Sequence, residues 1–180
     1  MALTRKQGGV LLGMGVGLST AVLLIIIGMA SNPLGFSDEM DLASRMSVAI
    51  QSCILPVLFL IISVGRLAGH RFFTPEDIDA GAAQGGTDRA RMLQSILQNT
   101  LEQTMIAVII YMAWAVVMPG RWLSVVPMVA IVFAVGRILF FAGYEKGASS
   151  RALGFTLGFY SSVAMLVCVI GHVLHHHLAG

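Results

Sequence analysis

Two pairs of polar residues lie in segments that are otherwise almost entirely apolar. Asn99 and Glu102 are three residues apart in one segment, and Arg137 and Tyr144 are seven residues apart in a later one. Both spacings place the two side chains of a pair on the same face of an α-helix. A charge inside a membrane span is costly unless it is paired, and such residues are candidates for function by default. We therefore treat these four residues as one candidate site.

Two further arginines lie at the ends of apolar segments, at the same expected depth in the membrane. Arg66 follows the second apolar run, and Arg151 precedes the last one. We expect Glu102 to pair with Arg137 or Arg66. Because three arginines then face a single carboxylate, a pocket formed by these groups would be net positive and would favour an anionic ligand. The alternative is an ion pair that only holds the helices together.

The segments that must position these residues predict a membrane protein. Of the 180 residues, 57% are hydrophobic and 11% are charged, against about 25% charged in soluble domains. Four uncharged runs each hold the roughly 20 apolar residues that cross a bilayer, and a fifth is interrupted only by Arg137. The sequence thus predicts an all-α integral membrane helical bundle, with helices at about 9–31, 46–66, 90–118, 121–145 and 151–176.

The distribution of charge predicts how the bundle lies in the membrane. Basic residues concentrate on one side of a five-span topology, which places the N-terminus in the cytoplasm, the C-terminus outside and the candidate site towards the cytoplasm. The acidic connection at 31–43 is then external, and Tyr111, Trp114 and Trp122 are expected at the external interface. The first run could instead be a signal peptide, but its length and the lack of a small-x-small cleavage site favour a retained helix.

Other classes of function have little support in the sequence. The formal net charge of +2 is not gathered into a basic stripe, so no nucleic-acid partner is expected. The sequence lacks the GxGxxG, P-loop, GxSxG and HExxH patterns. His172, His175 and His176 share a helical face, but no carboxylate or cysteine accompanies them, and we predict no metal site. In the polar connection after Arg71, Thr74 before Pro75 predicts a capped short helix or a turn at the cytoplasmic surface.

Three motifs resemble those of a known family, the membrane-associated proteins in eicosanoid and glutathione metabolism (MAPEG). They are QNTLEQ at Gln98–Gln103, GRILFFAGYEKGASSR at Gly136–Arg151 and GRLAGHRFFTPED at Gly65–Asp77. The resemblance covers about residues 46–175 and implies a four-helix subunit that assembles as a homotrimer. Residues 1–45 would then form an extra N-terminal transmembrane helix with its acidic external loop, and residues 46–180 the four-helix membrane domain.

The resemblance also implies roles for the candidate residues. Residues that would bind glutathione, as a co-substrate, are Arg66, Asn99, Glu102, Arg137 and Tyr144. Arg151 would be catalytic, because a guanidinium held against the glutathione sulfur favours the nucleophilic thiolate over the thiol. The expected function is a membrane-bound glutathione-dependent transferase or peroxidase. Its small hydrophobic electrophiles would reach the site from the lipid bilayer.

A second hypothesis is a non-catalytic, MAPEG-like lipid-binding or scaffold protein, in which the polar cluster only fixes helix packing. Three positions that depart from the family pattern favour it. They are Ser95, Gln103 and Phe140. Family membership alone does not decide between an enzyme and a binding protein.

Overall fold

The architecture is a bundle of long α-helices. A computed structural model describes residues 4–79 and 86–179. Within these ranges there are six α-helices and two single 3-10 turns, at Pro75–Asp77 and Gly120–Trp122. The helices are α1 (Arg5–Ser31), α2 (Leu42–Ser52), α3 (Ile54–Phe73), α4 (Asp88–Val117), α5 (Val125–Gly143) and α6 (Ala148–Ala179).

The prediction of five membrane spans is confirmed by length and apolar character. The spans are α1, the pair α2 and α3, then α4, α5 with its preceding 3-10 turn, and α6. Helices α2 and α3 meet at Cys53, because Pro56 has no N–H to donate to the carbonyl of Ser52. The predicted end of this span near Arg66 is wrong. The helix continues to Phe73, because no residue breaks it before the Thr74–Pro75 step.

Helix α1 packs along α6 through a row of glycines. Gly9, Gly13 and Gly17 are four residues apart and therefore lie on one face of α1. A Cβ added to Gly13 would lie 2.9 Å from the backbone nitrogen of Leu153. Thr156 Oγ1 donates a hydrogen bond of 2.9 Å to the carbonyl of Gly13. The first helix is therefore packed closely against the last one.

The main apolar core lies between α4, α5 and α6, towards the end of the bundle that holds the 3-10 turn Gly120–Trp122. Tyr111, Trp114 and Phe133 are fully buried in it. Trp114 Nε1 donates a hydrogen bond of 3.0 Å to the carbonyl of Trp122. Tyr111 and Trp114 fill the space between helices, so they do not form the expected aromatic belt facing the lipid headgroups.

At the opposite end of the bundle a buried carboxylate ties α3 to α4. Asp77 accepts hydrogen bonds from the backbone nitrogen of Thr87 at 2.7 Å and from its hydroxyl at 2.6 Å. His70 Nε2 lies 2.9 Å from the same carboxylate. The short helix at Pro75–Asp77 is confirmed, but the predicted cap is wrong, since the side chain of Thr74 makes no capping bond. The hydrogen bonds from Thr87 lower the pKa of Asp77 below its ordinary value, and the contact with His70 lowers it further.

Candidate functional site

A cavity of about 430 Å³ lies between α1, α4, α5 and α6, near the connection from α5 to α6. Three of the six predicted site residues line it, namely Asn99, Tyr144 and Arg151. Its other walls are largely apolar, and α1 contributes Val10 and Met14. The structure thus brings together half of the predicted site. It also adds α1, which sequence reasoning had left outside the site.

Arg151 lies in the first turn of α6, with its guanidinium 4.3 Å from the centre of the Tyr144 ring. Within the part of the chain that the structure describes, this guanidinium makes no hydrogen bond or ion pair. Its N–H donors are therefore available to a ligand. The N-terminal end of α6 adds positive potential at the same place, so an anionic group would be favoured there.

Arg137 lies behind the cavity wall and is fully buried. Its guanidinium donates hydrogen bonds to Asn99 Oδ1 at 3.0 Å and to Gln103 Oε1 at 2.9 Å. The Phe140 ring covers one side, with its centre 4.6 Å away. These partners are neutral, and no carboxylate of the described residues forms an ion pair with Arg137.

The hydrogen bond from Arg137 also fixes the role of Asn99. Because Oδ1 accepts from the guanidinium, the amide nitrogen Nδ2 is the part of the Asn99 side chain that remains to donate to a ligand. Nδ2 makes no hydrogen bond within the described ranges of the chain. Arg137 thus holds the Asn99 side chain in this arrangement, and Asn99 is the residue of the two that lines the cavity.

Within residues 4–79 and 86–179 of the single chain, Glu102 does not form the predicted ion pair with Arg137 or Arg66. Glu102 is exposed and accepts a hydrogen bond of 2.9 Å from Gln98 Nε2. Gln103 instead reaches Arg137, because successive residues of a helix are about 100° apart and Gln103 shares its face with Asn99. The spacing of four between Asn99 and Gln103 was the sequence signal for this contact.

Arg66 does not line the cavity. Its guanidinium lies 5.2 Å from the centre of the Phe141 ring on α5, whereas the preceding residue, Phe140, is the one that lines the cavity. Arg66 is thus separated from Arg151 by α5. The predicted roles of Arg66 and Glu102 in holding a ligand stay predictions.

Comparison with known proteins places the chain in a family. The sequence model of the MAPEG family matches residues 46–171, more than half of the chain. The chain belongs to the MAPEG family. As a MAPEG member with five apolar helices, it is an integral multi-pass membrane protein. All six predicted site residues fall within the matched range, whereas α1 precedes it.

A curated relative of this MAPEG protein carries no assigned activity. The chain is 32% identical over 124 residues to the uncharacterized protein sll1147 of Synechocystis sp. (strain ATCC 27184 / PCC 6803 / Kazusa). The alignment covers 65% of this chain and 79% of the relative. No solved structure matches the chain.

Proposed function

We propose that this MAPEG protein is a glutathione-dependent transferase or peroxidase that acts on hydrophobic electrophiles dissolved in the bilayer. The observation that carries the proposal is the Arg151 guanidinium, which stacks on Tyr144 and makes no hydrogen bond or ion pair among the described residues, in a cavity that also holds Asn99. The cavity, of about 430 Å³, falls within the usual range of about 300–1,000 Å³ for small-molecule sites. The two carboxylates of glutathione can accept hydrogen bonds from Arg151, Tyr144 and Asn99, and its thiol can lie beside the Arg151 guanidinium.

The chemistry follows from the charge at Arg151. A positive group beside the glutathione sulfur lowers the pKa of the thiol, so the proton leaves to water and the thiolate remains. The sulfur then forms a bond to the electrophilic carbon, and the electron pair of the broken bond leaves with the departing group. Asn99 and Tyr144 would orient the tripeptide, which makes the attack effectively intramolecular.

A homotrimer is part of the proposal, and the outer face of α4 supports an assembly. Ser95, Gln98 and Glu102 are exposed on this helix in the single chain, although α4 spans the membrane. A carboxylate facing lipid is costly, so another copy of the chain would cover this face. Glu102 would then find a partner such as Arg66 of the partner subunit, since Arg66 is only partly buried in its own chain.

The proposed orientation has the N-terminus in the cytoplasm, the C-terminus outside and the cavity towards the cytoplasm. The excess of lysine and arginine on that side supports it. Labelling of cysteines introduced at Lys146 and at Gly35, with a reagent that does not cross membranes, tests this arrangement in intact cells. Lys146 is expected to be protected and Gly35 to react. The reverse pattern would contradict it.

The test of the activity uses the full-length protein, purified in detergent micelles. We expect conjugation of chlorodinitrobenzene to glutathione at a rate that saturates with thiol concentration. Glutathione at 100 times its Kd should also stabilise the protein against unfolding by about 2.7 kcal/mol. If millimolar glutathione gives no turnover and no stabilisation, the proposal is overturned and the lipid-binding or scaffold hypothesis is favoured. Native mass spectrometry of the same sample is expected to show three copies of the chain.

A further inference from the structure

A second cavity adjoins the candidate site at the start of α1. It has a volume of about 390 Å³ and is lined by Lys6, Gln7, Val10, Leu11 and Ala148. Val10 and Ala148 also line the cavity that holds the candidate site, so the two spaces share part of their walls. The second cavity therefore continues the candidate site towards the N-terminal end of α1, and most of its lining comes from that helix.

Helices α1 and α6 run in the same direction, so their N-terminal ends lie together beside the two cavities. Gly9 faces Ser149 and Gly13 faces Leu153, so a step of four residues along α1 matches a step of four along α6. At a rise of about 1.5 Å per residue, the backbones of Lys6 and Arg151 are offset by roughly 7–8 Å along the helix axes. The positive ends of both helix dipoles therefore favour an anion at this end of the bundle.

Lys6 is placed in the first turn of α1 by a capping box. The Thr4 hydroxyl accepts a hydrogen bond from the backbone nitrogen of Gln7, and the Gln7 side chain accepts one from the backbone nitrogen of Thr4. The Lys6 ammonium is exposed and, among the residues that the structure describes, makes no hydrogen bond or ion pair. The first turn of α1 also contains no acidic residue. A cation at the positive end of a helix is electrostatically unfavourable, so an anionic ligand would be stabilised beside it.

Two cations line the joined cavities within residues 4–79 and 86–179, namely Arg151 in the first and Lys6 in the second. The proposed chemistry places Arg151 beside the glutathione sulfur. Arg137 is fully buried behind Asn99, and Arg66 is separated from the cavity by α5, so neither of these guanidinium groups lines the site. A tripeptide extends over about 10 Å, so one ligand can reach from Arg151 to Lys6. Lys6 is thus the cation that remains for a carboxylate.

We propose that Lys6 binds one of the two carboxylates of glutathione while the sulfur lies at Arg151. This inference rests on the proposed function and deepens it, because it names a further binding residue for the same ligand. Lys6 donates a charge-assisted hydrogen bond to the carboxylate and takes no part in the bond changes at sulfur. It precedes residues 46–171, which match the MAPEG family, so the contact is supplied by the additional helix of this chain.

The experiment measures the affinity of the purified full-length protein for glutathione by calorimetric titration. Lys6→Gln is expected to weaken binding by about threefold to fivefold, because an ion pair at an exposed position contributes modestly. Lys6→Glu reverses the charge and is expected to weaken binding at least about tenfold. Both losses should become smaller when the salt concentration is raised from about 20 mM to about 500 mM, because salt screens exposed charges.

Arg5→Gln is the matched control for Lys6→Gln. Arg5 is the neighbouring residue, carries the same charge and is exposed, but it lines neither cavity. Its substitution is expected to leave the affinity for glutathione unchanged. Thermal unfolding without ligand should give the same midpoint for wild type, Lys6→Gln and Arg5→Gln, which separates a loss of binding from a loss of stability.

Ligand analogues identify the charge that Lys6 meets. One analogue is glutathione monoethyl ester, in which the glycine carboxylate carries no charge, and the other lacks the α-carboxylate of the γ-glutamyl residue. The loss of affinity on Lys6→Gln is expected to persist with one analogue and to disappear with the other. In steady-state conjugation of chlorodinitrobenzene, Lys6→Gln should raise KM for glutathione and leave kcat and its pH profile unchanged. That pattern differs from the shifted profile expected on loss of Arg151.

Several results would overturn the inference. Equal affinities of wild type and Lys6→Gln in a protein that conjugates glutathione would remove Lys6 from the site and leave the proposed activity intact. An equal loss in Arg5→Gln, or the same loss with glutathione and both analogues, would show a general effect of surface charge without a contact to a carboxylate. If the wild-type protein does not bind glutathione at all, the proposed function and this inference fail together.

Discussion

The buried guanidinium of Arg137 on α5 donates a hydrogen bond of 3.0 Å to Asn99 Oδ1 on α4. This bond joins a positive charge that no solvent reaches to a side chain that lines the cavity. It orients the Asn99 amide so that the nitrogen is left for a ligand. The positive charge behind Asn99 also makes that nitrogen a stronger donor, because hydrogen-bonded groups polarise one another at low dielectric.

Gln103 is expected to support Arg137 structurally. It accepts from the guanidinium at 2.9 Å and donates to the carbonyl of Phe155 at 3.2 Å. Gln103→Leu leaves both partners short of a hydrogen bond and is expected to lower the free energy of unfolding by about 1–2 kcal/mol. The control is Gln51→Leu, because Gln51 is exposed and, among the residues that the structure describes, its side chain bonds only to exposed Ser47. Thermal unfolding in the same detergent compares them, and equal shifts would contradict this role.

Asn99→Asp separates positioning from ligand binding. The aspartate can still accept from Arg137, so the fold is expected to be as stable as the wild type. It loses the N–H donors and adds a negative charge beside the proposed anion. Glutathione binding is therefore expected to weaken at least about tenfold, which corresponds to about 1.4 kcal/mol. Calorimetric titration measures the affinity. Unchanged affinity in a stably folded variant would remove Asn99 from the binding site.

Arg151 is expected to act on the thiol and not only on binding. Arg151→Ala removes the positive charge, so the pH at which the conjugation rate rises should move towards that of free glutathione. Arg151→Lys keeps the charge and is expected to recover part of the rate at neutral pH. The pH profile of kcat is the readout, since a merely structural role would change the rate without moving the profile. Unchanged turnover in Arg151→Ala would exclude Arg151 from the mechanism.

The sequence predicted the spans well, because crossing a bilayer requires a length of apolar residues that can be read directly. It also grouped Asn99, Tyr144 and Arg151 in one candidate site, and all three line the same cavity in the structure. It did not distinguish Glu102 from Gln103 as the partner of Arg137. Electrostatics favours the carboxylate, but one position along a helix changes the direction of a side chain by about 100°, and packing of α4 on α5 decides which residue faces inward.

The contribution of α1 to the site was missed for a different reason. Its residues are apolar on every side, so hydrophobic periodicity does not show which face packs on the protein. The available signal was the recurrence of Gly9, Gly13 and Gly17 at intervals of four, which is typical of helices in close contact within membranes. That signal predicts a contact but not its partner, and the structure shows the partner to be α6.

The glycine contact gives a prediction about stability. Gly13→Leu would push α1 away from Leu153 on α6, and overpacking of this kind typically costs about 1–3 kcal/mol. Gly15→Leu is the matched control, because a Cβ at Gly15 meets no atom within 4 Å. Thermal unfolding is expected to show a lower midpoint for Gly13→Leu alone. If both variants unfold at the wild-type temperature, α1 does not depend on this contact.

The buried carboxylate of Asp77 predicts a dependence of stability on pH. Its pKa is lowered from the ordinary value of 3.8, chiefly by hydrogen bonds from Thr87 and then by His70. A group with a lowered folded-state pKa stabilises the fold above its ordinary value, and that contribution is lost as the pH falls through the folded value. Asp77→Asn is therefore expected to be less stable than wild type at neutral pH. It should also lose less stability than wild type on acidification below about pH 4.

Asp79→Asn is the control for this pH effect, because Asp79 is exposed in the same connection. The measurement is the unfolding temperature of the three proteins at a series of pH values in one detergent. The difference between wild type and Asp77→Asn should stay constant down to about pH 4 and shrink below it, whereas Asp79→Asn should follow wild type throughout. A constant difference at every pH would show that the hydrogen bonds from Thr87 do not depend on the charge of Asp77.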